Sequence, residues 1–221
     1  AAKGVEERTR KLFEICRLRQ IPIFTFFNKM DRPARDPLAL LDELEKVLGI
    51  GAFPITWPLG SGADFKGVYD RLEKELRLYK HAAHGKHQAP CQVTGIHDEA
   101  IRKLVPEDQY RAWTEELDML SGAGESFDEA QVRAGLITPV LFGSAMTNFG
   151  VQHLLDYFIL HGAPPQPRKA ASGPVDPASR AFSGFVFKIQ ANMNPKHRDC
   201  LTYVRVCSGV FEKDMAVADP R

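Results

Sequence analysis

Asn28, Lys29 and Asp31 follow an apolar run, Ile21 to Phe27, and their side chains have the chemistry to read a guanine base. A carboxylate at Asp31 can accept two hydrogen bonds, from the ring N–H and the exocyclic amine of guanine. Adenine has neither donor on that edge and would leave a desolvated carboxylate unpaired, a mismatch that discriminates by orders of magnitude. The Lys29 stem can lie along the purine face, and the Asn28 amide can tie the loop together while touching the base. Taken alone, Asn-Lys-x-Asp is a short pattern that a polar turn after a strand matches equally well.

A second loop raises the odds. Gly143-Ser144-Ala145 ends another apolar run, Ile137 to Phe142. Small residues let backbone N–H groups approach a ligand, so the Ala145 amide can donate to guanine O6. Ser144 can brace its loop by a local hydrogen bond. Two strand-end loops suited to one base coincide by chance far less often than one.

The elements that must position these loops read as an α/β sheet. Residues 21–27 have the length and the β-branched and aromatic content of a parallel strand covered on both faces, with Phe24, Phe26 and Phe27 in the core. Ligand sites in such sheets lie just beyond the carboxyl ends of the strands. Val5 to Arg19 reads as a helix with Val5, Leu12, Ile15 and Leu18 or Cys16 on its apolar side. Asp36-Pro37 is an N-cap followed by proline, Leu38, Leu41, Leu44 and Leu48 make a stripe, and Gly49 closes the helix. Phe53 to Trp57 is a short strand, and both tryptophans, Trp57 and Trp113, suit a core or a hinge.

Between Pro58 and about Ile137 the character changes. Gly60-Ser61-Gly62 opens a loop, 68–79 fits a hairpin or a helix, and 98–105 and 106–120 read as helices. The second of these has an acidic face (Glu115, Glu116, Asp118), either solvated or able to dock a basic protein. Ser126-x-x-Glu129 reads as a capping box, and Val151 to Leu160 as an amphipathic helix. Five prolines between Ala163 and Ser179 predict an extended linker, after which 182–191 and 201–207 alternate as antiparallel strands do.

The 221 residues carry a net charge of +1, which excludes a strong overall attraction to nucleic acid or membrane. The four cysteines, Cys16, Cys91, Cys200 and Cys207, form no C-x-x-C pair and read as reduced thiols in the cytoplasm. No apolar run approaches the ~20 residues of a membrane span, and no signal peptide opens the chain. The start at Ala1-Ala2-Lys3-Gly4, without Met, suggests an internal piece of a longer protein. His81, His84 and His87 with Cys91 could suggest zinc, but Gly85 and Pro90 interrupt a helix there, so a polar loop and no metal is the expectation. Lys188, Lys196, His197 and Arg198 form a basic hairpin tip, suited to RNA phosphates or equally to solvent.

Asn28-Lys29-Met30-Asp31, Gly143-Ser144-Ala145 and the segment Asn148 to Asp156 together resemble the translational GTPases. The text from Ile55 to Tyr69 (Ile-Thr-Trp-Pro-x-Gly-x-Gly-x-x-Phe-Lys-Gly-Val-Tyr) and that from Gly184 to Asp199 is similar to the bacterial release factor 3 family, and differs in wording from elongation factor G. The resemblance implies the C-terminal part of a P-loop-type GTPase domain in 1–57 and 138–162, with an α+β insertion at 58–137. It implies a linker at 163–180 and the start of an antiparallel β-barrel at 181–221. It assigns guanine recognition to Asn28, Lys29, Asp31, Ser144 and Ala145, with GTP or GDP as ligand and Mg²⁺ held elsewhere in the parent. It implies the ribosome (rRNA and ribosomal proteins) as partner, with class I release factors recycled indirectly.

No G-x-x-x-x-G-K-[ST] phosphate loop occurs in the chain, nor is a γ-phosphate sensor or switch threonine recognised. Phosphoryl transfer needs a phosphate cradle, Mg²⁺ and a positioned water, so no catalytic residue and no turnover are expected from these residues alone. The alternatives are an elongation factor G-like translocation GTPase and a non-catalytic ribosome-binding module.

Overall fold

The computed structural model describes residues 1–79, 91–103, 105–122, 126–171, 173–191 and 200–218. The chain divides into two units, Ala1–Ala163 and Pro164–Arg221.

The first unit begins with α1 (Glu7–Leu18), β1 (Thr25–Phe27), α2 (Pro37–Leu48) and β2 (Gly51–Pro54). Its α2 follows the sequence rules closely. The Asp36 carboxylate accepts from Ala39 N at 2.8 Å, Pro37 opens the first turn, and Gly49 leaves it in the left-handed region. Leu40, Leu41, Leu44 and Leu48 are buried and Leu38 packs beside them. By contrast, α1 buries Phe13, while Leu12, Ile15 and Leu18 face outward at 58%, 49% and 83% exposure. Periodicity fixes which residues share a face, not whether that face is covered.

An antiparallel sheet follows: β3 (Thr56–Leu59), β4 (Gly67–Asp70), β5 (Glu75–Tyr79) and β6 (Cys91–Thr94), paired in that order. The ambiguous stretch 68–79 is therefore a hairpin. Then come α3 (Glu99–Arg102), α4 (Glu107–Gly122), α5 (Glu129–Arg133), β7 (Ile137–Phe142) and α6 (Val151–His161). The helix expected over 98–105 is one turn long. The cap of α5 is Asp128, whose carboxylate accepts from Ala130 N at 2.8 Å, so Ser126 is not the capping residue. An aspartate two positions nearer the first turn competes better for its amides.

β7 lies between β1 and β2 in a parallel sheet. The strand expected over 21–27 pairs only at Thr25–Phe27. In this register the ladder donor to the Ile23 carbonyl would be residue 139, a proline with no N–H. The Thr138 hydroxyl donates to that carbonyl instead, at 2.8 Å, and also meets Thr25 Oγ1 at 2.9 Å. Phe27 is buried, whereas Phe24 and Phe26 are half-buried.

One apolar cluster joins the two sheets and α4: Met30, Leu40, Trp57, Val68, Leu76, Trp113, Leu117 and Phe142 all belong to it. Phe142 stacks on Phe27 at 5.1 Å between ring centres and takes the edge of Trp57 at 5.5 Å. Polar links supplement this packing. Ile55 N donates to Val140 O at 2.8 Å, and Phe142 N donates to Thr56 Oγ1 at 2.9 Å.

A buried charge ties α6 to the antiparallel sheet. Asp70 is fully buried and His153 nearly so, with Nε2 and Oδ2 2.7 Å apart. The Tyr157 hydroxyl lies 3.2 Å from both Asp70 oxygens, and Leu72 N and Glu73 N donate to Oδ1. Burial alone would raise the Asp70 carboxyl. His153 and the two backbone amides more than offset it and hold the group below the usual carboxylate range. Burial and Asp70 in turn push the Tyr157 phenol up.

In the second unit, β8 (Arg168–Ala170) and β9 (Gly173–Val175) form a small hairpin inside the proline-rich stretch, where an extended chain was expected. Pro174 sits opposite Lys169 in a two-stranded ribbon, where one face of the ladder is free and its missing N–H is tolerated. β10 (Ser183–Ala191) and β11 (Cys200–Ser208) pair antiparallel with a bulge near Val186. Lys188 Nζ lies over the Tyr203 ring, while Lys196, His197 and Arg198 lie outside the described residues.

Asp70→Asn is expected to lower stability by about 3 kcal/mol, since it removes a buried carboxylate that His153, Tyr157 and two backbone amides share. The Asp70 pKa is lowered on folding, so its contribution is full above the unfolded value near ~4 and lost as pH falls through the lower folded value. Chemical denaturation from pH 7 to 3 checks this: the difference between the two proteins must shrink on acidification. An equal slope in both would contradict it.

Candidate functional site

β1 and β7 end level, with Phe27 opposite Phe142, so the residues that follow them are neighbours. The two loops are stitched together at several points. Asn28 Oδ1 accepts from Lys29 N at 2.7 Å and from Ala145 N at 2.9 Å. Ser144 Oγ donates to Asp31 Oδ1 at 2.5 Å. Met30 N donates to Gly143 O, and Gly143 N to Phe27 O, both at 3.1 Å.

All five residues singled out in the sequence therefore meet in one place. Lys29 and Ala145 are exposed, Asn28 and Asp31 are half-buried, and Ser144 is fully buried. Asp31 uses one oxygen on Ser144, which leaves Oδ2 and the remaining lone pairs for a ligand. The Ala145 amide is not a free donor: it already serves Asn28, so it would have to share its hydrogen with guanine O6. Lys29 has a φ of +70°, an uncommon conformation for a residue with a side chain. At Gly143 a Cβ would lie 2.3 Å from Phe149 O and 2.6 Å from the Phe26 ring, so only glycine fits. The second loop is closed by a two-way backbone bridge, Ser144 N to Phe149 O at 2.8 Å and Phe149 N to Ser144 O at 3.0 Å.

Sequence reasoning passed over Met30, the variable position of the pattern. Its side chain is fully buried beneath the loop, and its carbonyl accepts from Gly62 N at 2.8 Å. The signal was an apolar residue between charged ones in a loop expected to be solvated. Behind Met30 lies a cavity of about 350 Å³, whose lining includes Asp36, Leu59, Ser61, Trp113 and Glu116. Trp57 Nε1 donates to Glu116 Oε2 at 2.8 Å. Burial raises the Glu116 carboxyl; that bond pulls the other way, and the charge of Asp36 adds to the rise.

The letters D-x-x-G, the pattern of a γ-phosphate sensor, do occur, at Asp64 to Gly67. They span the turn before β4, where Gly67 pairs with Leu59 and Leu78, so they serve the antiparallel sheet. Among the described residues no group of His, Cys, Asp and Glu could hold a metal ion, and His81, His84 and His87 lie outside those residues. Among the same residues no helix is long and apolar enough to cross a membrane.

Comparison with known proteins bears on this geometry. The family model for the elongation factor Tu GTP binding domain matches residues 1–164, and that for elongation factor G domain 2 matches residues 181–221. Proteins named peptide chain release factor 3 are similar over the whole chain: 54% identical in Gloeobacter violaceus, 50% in Trichodesmium erythraeum and 50% in Microcystis aeruginosa. The chain covers 42%, 41% and 41% of those proteins, about two fifths of their length. A crystal structure of a Thermus thermophilus protein shares the fold with a TM-score of 0.60 at 21% identity, over 94% of this chain and 30% of that one. With its loops at the ends of adjacent parallel strands and a family match over most of its length, the chain belongs to the elongation factor Tu GTP-binding domain family, the translational GTPases.

Proposed function

We propose that these residues form the base-reading part of a ribosomal GTPase of the release factor 3 type. The observation that carries the reading is the pair of cross-loop bonds, Ser144 Oγ to Asp31 Oδ1 and Ala145 N to Asn28 Oδ1, which turn two distant loops into one rim. On that rim Asp31 takes the guanine ring N–H and exocyclic amine, Lys29 lies along the purine face, Asn28 holds both loops, and Ser144 fixes the carboxylate. Ala145 N shares its hydrogen with O6. A purine lacking both donors would leave Asp31 desolvated and unpaired.

In this reading residues 1–57 and 138–162 are the C-terminal part of the G domain and 58–137 an insertion. Residues 163–180 join them to the start of a β-barrel at 181–221. The phosphates and Mg²⁺ are held by other parts of the protein, and these residues alone choose the base without turnover. The similarity of the whole chain to about two fifths of release factor 3 proteins favours a cytoplasmic factor that acts on the ribosome and recycles class I release factors. The match of 181–221 to elongation factor G domain 2 supports a second reading, a translocation GTPase of that type.

Binding of GDP and ADP by the full-length protein, measured by calorimetry, tests the proposal: GDP is expected to bind at least ~100-fold more tightly. Equal affinities would rule it out, and would favour a ribosome-binding module with vestigial nucleotide loops. Asp31→Asn is expected to shift preference toward xanthosine diphosphate by at least ~10-fold, because a carboxamide can donate to the 2-oxo group. Unchanged guanine preference would refute the role of Asp31. Ser144→Ala, which frees the Asp31 carboxylate to rotate, is expected to weaken GDP by about 3- to 10-fold. Undiminished affinity would show that the hydroxyl does not position it.

A further inference from the structure

β3 and the turn after it reach the base-reading rim at two points close in sequence, Thr56 at the end of β7 and Gly62 on the loop that follows β1. At the first, the hydroxyl of Thr56 in β3 accepts from Phe142 N at 2.9 Å, at the last residue of β7 before Gly143-Ser144-Ala145. Thr56 is 1% exposed, so water does not compete for that amide. At the second, Gly62 N in the turn after β3 donates to Met30 O at 2.8 Å, in the middle of Asn28 to Asp31. Gly62 has a φ of +65°, which a residue with a side chain adopts only with strain. Met30 is held on both sides, by Gly62 and by Gly143 O, and its side chain has no exposed surface.

Thr56 is buried, and the Gly62 amide is already engaged by Met30 O, so each acts on the loops and not through a group left over for a ligand. We infer that Thr56 and Gly62 are positioning residues for guanine specificity, through which β3 and the turn after it hold both base-reading loops at the separation the guanine edge requires. The inference rests on the proposed guanine site and deepens it. It gives the antiparallel sheet a task in nucleotide recognition beyond its own packing. A partner that shifts this sheet would change guanine affinity through the same two bonds.

Thr56→Val tests it with little change of volume. The substitution removes the acceptor and leaves the buried Phe142 amide unpaired. In the full-length protein, GDP affinity is expected to fall by ~10-fold. The ratio of GDP to IDP affinity is expected to fall with it, because IDP lacks the exocyclic amine and its binding depends less on where Asp31 sits. Gly62→Ala, which strains the turn, is expected to move both quantities in the same direction. Thr138→Val is the matched control: an equally buried threonine at the opposite end of β7, bonded to Ile23 O. It is expected to lower the melting temperature and leave the GDP to IDP ratio unchanged.

If Thr56→Val and Gly62→Ala lower stability while the ratio stays at the wild-type value, the sheet is only structural and the inference is wrong. A fall of the same size in Thr138→Val would also overturn it. Absence of any GDP preference in the wild-type protein would instead overturn the guanine reading itself, so the two failures are distinguishable.

Discussion

The site depends on the parallel pairing of β1 with β7 and on the register that sets Phe27 opposite Phe142. Parallel strands present both carboxyl ends on one side, and a level register makes the next residues of each strand neighbours. A shift of one residue would turn Asn28 away from Ala145 and part Ser144 from Asp31. The register is held by apolar packing, Phe27 on Phe142 and Trp57 against Phe142, in a cluster that continues into α2 and α4. The polar rim thus rests on an aromatic stack that fixes it.

Ser144 and Asp31 meet across 113 positions of sequence. The entropy of closing so long a loop rises only slowly with length: relative to a quarter of that span, two doublings add about 1.2 kcal/mol. Loop length therefore does little to oppose the intervening elements, which must instead be compatible with the parallel sheet where they leave and rejoin it. β2 leaves it beside β7, Ile55 between β2 and β3 donates its N–H to Val140 O, and Thr56 at the start of β3 then supplies the acceptor for Phe142 N. On the other face Asp70, His153 and Tyr157 bind the hairpin to α6 through a charge that burial makes costly to leave alone.

Where local chemistry decides, the sequence was readable. Asp36-Pro37 and Gly49 bound α2, the apolar run 137–142 is β7, and Asn28, Lys29, Asp31, Ser144 and Ala145 share one rim. Contacts made at long range were not readable. The outward face of α1 has the pattern of a buried one, and nothing in Leu12, Ile15 or Leu18 says otherwise. The first strand is short because Pro139, over a hundred residues away, has no N–H for the Ile23 carbonyl, and only the pairing register reveals that the two meet. Met30 looked like a spacer and is the buried peg of the first loop, and Thr56 looked like an ordinary strand residue. In both cases the type was visible and the partner was not.

The most direct measurement of the central claim is a crystal structure of the full-length protein with GDP bound. The account predicts both Asp31 oxygens engaged, with the guanine N1–H and N2 amine and with Ser144 Oγ, the Lys29 stem along the base, and Ala145 N within hydrogen-bond reach of O6. Met30 O should remain bonded to Gly62 N. A base bound away from Asp31, or a rim in which the Ser144–Asp31 and Asn28–Ala145 bonds are broken to admit it, would contradict the account.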